Sequence, residues 1–331
     1  MNAQIIFAGL RAHPVRTGVG VLAVTLEVVL ILLLVGLTDG AISDTGNRVA
    51  GVGGEIIFKN LDSSYALGFG AAILPVKELG GDIAKVEGVQ VVAPVLVQTI
   101  ATEGFSMIWG IDPPTFEAMS GGFTFIDGKM FSTPGEAIVD RRISDSQHLR
   151  PGSPINLLNQ PFTVSGIVES GKGARIFIPI ETAQEMQNRP NRASMFYIKL
   201  KDKSQTKQVQ ARLKATFPDR DVVDADEWLS LLYTNYSSIL GVVFNGIVFL
   251  GVSIGVLVIF LSMYTTVTER TREIGILRAM GASKSYIVVL IIQESLMLCI
   301  LGAVLGVGSS LLLMILLKKI FSMLNILITA G

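Results

Sequence analysis

The chain has 331 residues, 50% of them hydrophobic and only 16% charged, and its 27 basic and 27 acidic side chains cancel. Soluble domains are usually about a quarter charged, so membrane spans are expected, and the neutral balance argues against nucleic acid as a partner. One Cys (Cys299) and two His (His13 and His148) exclude a disulfide framework and leave little for a transition-metal site or a His-based nucleophile.

In chain order, residues 1–17 read as a cytoplasmic flank, with Arg11, His13 and Arg16 and no acidic side chain. A bilayer core of about 30 Å needs roughly 20 apolar helical residues. Three segments qualify, at 18–38, 237–264 and 286–318. The first is too long for the apolar core of a cleaved leader and reads as a retained anchor. The loop at 265–285 carries Arg270, Arg272, Arg278 and Lys284 against Glu269 and Glu273. Both basic flanks therefore face the cytoplasm, and residues 39–236 lie outside. Lys318 and Lys319 dissent mildly. The outer tail, 319–331, has too few apolar residues for a further helical span, so the chain is either truncated before a fourth span or assembles with three.

Residues 39–236 mix short apolar runs with helical spacings. GGEIIFKN, VQVVAPVLVQTIA, SMIWGID, EAIVD, PINLL, FTVSGIV, RIFIPI and MFYIKL read as strands. VKELGGDIAKV, IETAQEMQ and TKQVQARLKATF read as helices. An α/β or α+β domain follows. Turn-rich breaks at Asp112-Pro113-Pro114 and Arg189-Pro190-Asn191 suggest a lobe at about 105–194 inserted into one built from both flanks. The segment before the second span contains no breaker and is expected to run into it as one rigid helix.

Several motifs carry competing readings. GIVESGKG, 166–173, matches most of a phosphate-binding loop, but Gly173 stands where Ser or Thr must hold Mg²⁺, and strand-like RIFIPI follows where a helix is required. A Gly-rich hairpin is the expected structure. Glu27 sits in mid-span, where an ionisable group costs at least about 2.5 kcal/mol. It faces a pathway, binds a cationic group, or is protonated or hydrogen-bonded to a neighbouring helix. Gly251 with Gly255, and Gly302 with Gly306, are four apart and read as helix-packing positions. Phe105, Met107, Trp109, Phe116, Phe123, Phe125 and Phe131 read mainly as core, with an apolar ligand grip as the alternative.

The stretch TERTREIGILRAMGASKSYI, 268–287, lies between two apolar runs yet is itself amphipathic. Ile274, Leu277 and Met280 recur at helical spacing, with charges on the other faces. Glu269 and Glu273 near its start and Arg278 near its end suit the helix dipole. Gly281 is expected to end the helix and Ser283 to cap the next. A small charged corner fixed at both ends to membrane helices suits mechanical coupling, and a plain interfacial helix fits the same periodicity.

Residues 267–283 also resemble the signature of FtsX-like ABC-transporter permeases, of the macrolide-exporter (MacB) and lipoprotein-releasing type. Arg11 to Thr17, GGEIIF, VEGVQVVAPVL, IWGIDP, FTVSGIV and RIFIPIETAQEM are similar to other parts of the family, so the resemblance covers essentially the whole chain. It implies an α-helical membrane protein with four spans, of which three are legible here, and an amphipathic lead-in. It also implies a large extracytoplasmic α/β domain of a Porter-like and an inserted Sabre-like lobe. The chain would be a permease of the bacterial cytoplasmic membrane, not an enzyme. A separate ATPase subunit would bind ATP and Mg, with no cofactor in this chain. Glu269, Arg270, Glu273, Ile274, Leu277, Arg278, Met280 and Gly281 would form the ATPase-coupling element. The implied partners are that ATPase, a second permease protomer, identical or not, a periplasmic adaptor and membrane lipid. The implied work is export or extraction of a substrate on the outer side by mechanical transmission. The alternative is a signalling subunit that activates an outer cell-wall hydrolase. Glu27 departs from the family's apolar first span.

Overall fold

The computed structural model describes residues 14–61, 73–100, 106–269 and 271–320. They divide into two compact units. One holds the chain up to Gly40 with Ile239–Ile320, and the other holds Ala41–Ser238. The basic lead-in before Pro14, Phe105, Arg270 and the tail FSMLNILITAG lie outside the described residues.

Helix α1, Pro14–Val52, opens on a proline, whose missing N–H costs nothing at a first turn. It ends where Gly53 turns to φ +82° and its N–H reaches back to Ala50 O at 3.2 Å. Its 39 residues are about 58 Å long at 1.5 Å per residue, more than a bilayer needs.

The chain then forms strand β1 (Ile56–Asn60), β2 (Leu74–Pro75), helix α2 (Val76–Ala84), β3 (Val89–Ile100) and β4 (Ser106–Ile111). Helix α3 (Pro113–Ser120), β5 (Phe125–Gly128), β6 (Glu136–Asp140), helix α4 (Arg141–Gln147), β7 (Pro154–Leu157) and β8 (Gln160–Val168) follow. Next come β9 (Ile176–Pro179), helix α5 (Ile180–Met186), β10 (Arg192–Ala193), β11 (Met195–Leu200), helix α6 (Thr206–Thr216) and β12 (Arg220–Asp224). Three helices close the described chain: α7 (Ala225–Glu269), α8 (Thr271–Ala279) and α9 (Lys284–Ile320). Three segments are long and apolar enough to cross a membrane: Thr17–Val52, Asn245–Glu269 and Lys284–Leu317.

In the outer unit the strands form one mixed sheet, in the order β12-β1-β11-β3-β4-β9-β6-β8-β5, with β7 on β8 and a separate β2–β10 pair. The flanking segments build the β12-to-β3 half, and 106–179 builds the other. The two halves share the sheet through the antiparallel β3–β4 pair, Val95 to Ile100 opposite Ile111 to Ser106. Alternation along β1 sorts its side chains. Ile56 and Phe58 join a core under α2 and α6, and Ile57 joins a core on the opposite face with Val49, Val52, Trp109, Tyr197 and Trp228. A third core, around Ile138's neighbours Ala137 and Val139, lies under α5.

Two expectations are corrected. Asp112-Pro113-Pro114 is a helix start, because Asp112 accepts the Thr115 N–H at 3.2 Å and a proline occupies the first turn of α3. The 166–173 stretch is not a hairpin. β6 lies between β8 and β9, parallel to one and antiparallel to the other, so the loop passes over it.

In the membrane unit, α1 packs on α9 at glycines. A Cβ at Gly302 would fall 2.6 Å from Val24 Cβ, and one at Gly306 would fall 2.7 Å from Val28 Cβ. The Thr25 hydroxyl donates to Gly302 O at 3.1 Å. The contacts repeat every four residues on both helices, so the two run parallel.

Candidate coupling site

The amphipathic stretch divides differently from its spacing alone. Glu269 is the last residue of α7, and the short amphipathic helix proper is α8, with Glu273 and Ile274 in its first half. Gly281 adopts φ +95°, and Gly281 N and Ala282 N return to Arg278 O and Leu277 O at 3.1 and 3.0 Å. The second bond spans five residues, which closes the helix in a Schellman turn. Ser283 Oγ then accepts the Tyr286 N–H at 3.2 Å and starts α9. The corner is therefore set by backbone bonds. Ile274 and Leu277 are half-buried, whereas Arg278 is exposed on one side and Ile276 and Met280, 53% and 71% exposed, on another. The most exposed apolar pair is thus Ile276 with Met280, and Ile274 and Leu277 of the expected stripe are half-buried.

Glu27 and the first glycine pair meet. A Cβ at Gly251 would lie 3.3 Å from Glu27 Cγ, and one at Gly255 would lie 2.6 Å from Oε2. Two glycines of α7 thus leave the space that the carboxylate of α1 fills. Gly302 and Gly306 do the same for Val24 and Val28. Sequence reasoning passed over Glu294, which is 8% exposed in the first third of α9. The signal was present as the polar triplet Gln293-Glu294-Ser295 in an apolar run, and the rule that singled out Glu27 applies equally.

In the outer unit, α1 leads into β1 and α7 leaves from β12, its neighbour in the sheet, with Ile56 opposite Asp224. Ala225 N donates to Glu55 O at 2.9 Å, and Asp224 caps α7 by accepting the Glu227 N–H at 2.6 Å. Asp224 also pairs with Lys207. Lower down the same strand pair, Lys59 is wholly buried, 3.0 Å from Asp221 and 5.4 Å from the centre of the Trp228 ring. Burial holds its ammonium below the usual lysine range, against the pull of Asp221.

The nucleotide-loop lookalike is occupied by the fold itself. The Lys172 ammonium donates to Ser120 O at 2.8 Å and to Gly122 O, closing the C-terminal end of α3. The lysine is lowered in pKa by burial. Of the aromatic cluster, Trp109, Phe116 and Phe131 are buried, and Phe123 stacks on Phe116 at 5.2 Å and meets Phe177 edge to face at 4.8 Å. These rings are core. Among the described residues no three His, Cys, Asp or Glu side chains gather closely enough to hold a metal ion.

A family model described as the MacB-like periplasmic core domain matches residues 17–216, and one described as the FtsX-like permease C-terminal matches residues 245–330. The chain belongs to the FtsX-like, MacB-type family of ABC-transporter permeases. It is accordingly a multi-pass protein of the bacterial inner membrane with a mixed α/β periplasmic domain. The macrolide export ATP-binding/permease protein MacB of Rhodospirillum rubrum is 24% identical over 330 residues, covering 90% of this chain and 50% of that protein. MacB of Neisseria gonorrhoeae is 25% identical over 185 residues, 52% of this chain and 28% of that protein. The chain thus spans about half the length of the relative that it matches over 90% of its own length. The periplasmic region of MacB from Actinobacillus actinomycetemcomitans is 15% identical, with a TM-score of 0.41, over 54% of this chain and 92% of that one.

Proposed function

We propose that this chain is the permease subunit of an ABC transporter whose ATP and Mg²⁺ are bound by a separate ATPase subunit. In this reading α8 docks on that ATPase, and ATP-driven movement reaches the outer domain as mechanical work on a substrate outside the membrane. The observation that carries it is the α8 corner. The nine-residue helix and the Met280 that follows it expose Ile276 and Met280 on one face and Arg278 on another, and the helix end is fixed by the Gly281 turn before a membrane helix. A rigid terminus transmits force without first using it to straighten a loop. A second protomer would complete the permease, and an outer adaptor fits a role in export.

The test is recovery of the tagged chain from native membranes in mild detergent, with bound proteins identified by mass spectrometry. An ABC ATPase in near-equal amount is expected. Arg278→Glu should reduce that recovery by about tenfold, the loss expected from reversing one interfacial charge, with the chain's membrane level unchanged. Undiminished recovery with Arg278→Glu and with Met280→Asp would remove α8 from the interface. An outer hydrolase in place of an adaptor would turn the reading from export to signalling.

A further inference from the structure

Asp44, Arg48 and Gly51 follow one another at four and three residues, so they share one face of α1, in its Ala41–Val52 part. That face is gripped by the 106–179 half of the sheet. Asp44 Oδ1 accepts from Arg142 Nη1 at 2.7 Å, and Oδ2 accepts from Arg175 Nη2 at 3.0 Å. Arg48 Nε stands 3.3 Å from the same Oδ2. Arg142 belongs to α4, and Arg175 immediately precedes β9.

Beside this node the loop before β9 lies backbone to backbone on the helix. A Cβ at Gly51 would fall 1.9 Å from Gly171 O, and Gly173 N donates to Arg48 O at 2.8 Å. The loop is itself anchored twice. The Ser170 hydroxyl donates to Asp140 at 2.9 Å, and Lys172 holds the end of α3. The flanking half receives α1 differently, through the chain itself, by Gly53, Gly54 and Glu55 into β1, and through apolar packing of Val49 and Val52 with Ile57, Tyr197 and Trp228.

Buried ion networks are weak sources of stability, and well-packed apolar groups serve as well or better. What the network adds is direction. Two guanidinium groups of the 106–179 half on one carboxylate of the helix, with the helix's own Arg48 beside them, fix both its rotation and its axial position. We propose that this grip is an outer coupling joint, through which movement of α1 is delivered to the 106–179 half directly and not by way of β1. Asp44 is its positioning residue. The inference rests on the permease reading above and adds the receiving end of the transmission.

The test uses the full chain co-purified with its ATPase and reconstituted in lipid nanodiscs. Hydrogen–deuterium exchange is measured without nucleotide and with ATP plus vanadate, in the parent, in Asp44→Asn and in Arg142→Gln. The second variant leaves Asp44 with two arginines, so the question stays answerable if the first does not fold. The nucleotide-dependent change within 106–179 should fall by roughly fivefold or more in Asp44→Asn, the lower end of ordinary coupling factors, and by less in Arg142→Gln. ATPase stoichiometry and the response of 271–279 should persist in both. An unaltered response of 106–179 in both variants overturns the joint. So does a parent in which 106–179 does not respond, or a variant that sheds its ATPase. A parent that brings down no ATPase overturns the permease reading, and the joint falls with it.

Discussion

Phe58 of the outer unit is wholly buried, at the meeting of β1, α2 and α6, whereas Phe260 of the membrane unit is 66% exposed. In the outer unit three apolar cores surround one sheet. In the membrane unit the described buried cluster is Leu298 with Val21, Leu290 and Met297 around it. Its tightest approaches are at Gly251, Gly255, Gly302 and Gly306. The contrast follows from the solvent. Water drives apolar side chains together, but lipid tails do not, so membrane helices associate through close shape and hydrogen bonds. The outer domain is therefore sensitive to losing volume, and the membrane unit to gaining it.

The largest effect expected from this contrast is Phe58→Ala, which should destabilise the outer domain by about 3–5 kcal/mol, the range for aromatic truncation in a core. Phe260→Ala should change stability by no more than about 0.5 kcal/mol, as for an exposed position. Thermal unfolding of the full chain in detergent, followed by near-ultraviolet circular dichroism, compares the two. Equal losses would break the contrast.

Next in size is the reverse substitution. Gly302→Leu must displace Val24 and the α1 backbone, and overpacking costs about 1–3 kcal/mol. A Cβ at Gly308 meets nothing within 4 Å, so Gly308→Leu should be silent. The readout is protease resistance of the membrane unit in lipid. A silent Gly302→Leu would show that α1 and α9 do not depend on the close approach.

How far the sequence foretold these features depends on the range of the interaction. The strand patterns of β1, β3, β8 and β11 were legible because alternation is local, and so was the Gly281 corner. Strand β12, RDVVD, was not, because five residues with three charges carry too little pattern. The order β4-β9-β6-β8 could not be read either, since it depends on long-range pairings such as Ile108 with Ile176 and Ile138 with Phe177. The spaces for Glu27 at Gly251 and Gly255 were visible as spacing, but not their occupant, which is over two hundred residues away. The Asp44 node escaped notice because its helix was expected to end at residue 38 and its arginine partners stand 98 and 131 residues away. The coupling role proposed for α8 came from resemblance, which periodicity alone did not supply.

A smaller effect is expected for Lys172→Ala. It removes two hydrogen bonds to the end of α3 and should cost about 1 kcal/mol, the usual net value of such bonds, in the outer unit alone. ATP turnover by the assembled complex should not change, since the lysine is committed to Ser120 and Gly122. A large loss of turnover with an intact fold would restore the nucleotide-loop reading.

The smallest effect concerns one proton and should again be confined to the outer unit. Burial raises the Asp140 carboxyl above the usual aspartate range, although Ile143 N and Ser170 donate to it and Arg175 and Arg142 lie near. Between its unfolded and its raised folded pKa, the native state binds more of this proton than the unfolded chain does. Stability from this group therefore rises as pH falls through that window and is lost as pH rises above it. Glu136 works oppositely, because the Ser132 N–H lowers its pKa, so the slope of the parent alone is not diagnostic. The difference between parent and Asp140→Asn is. Asn keeps an oxygen for the Ile143 N–H and does not titrate. The parent should therefore gain on the variant as pH falls from 7 toward about 4, where free aspartate titrates, as measured by denaturant midpoint in detergent. A parent that loses ground to the variant on acidification would mean that Asp140 is held charged by its arginine neighbours, and that the core of the 106–179 half tolerates a carboxylate.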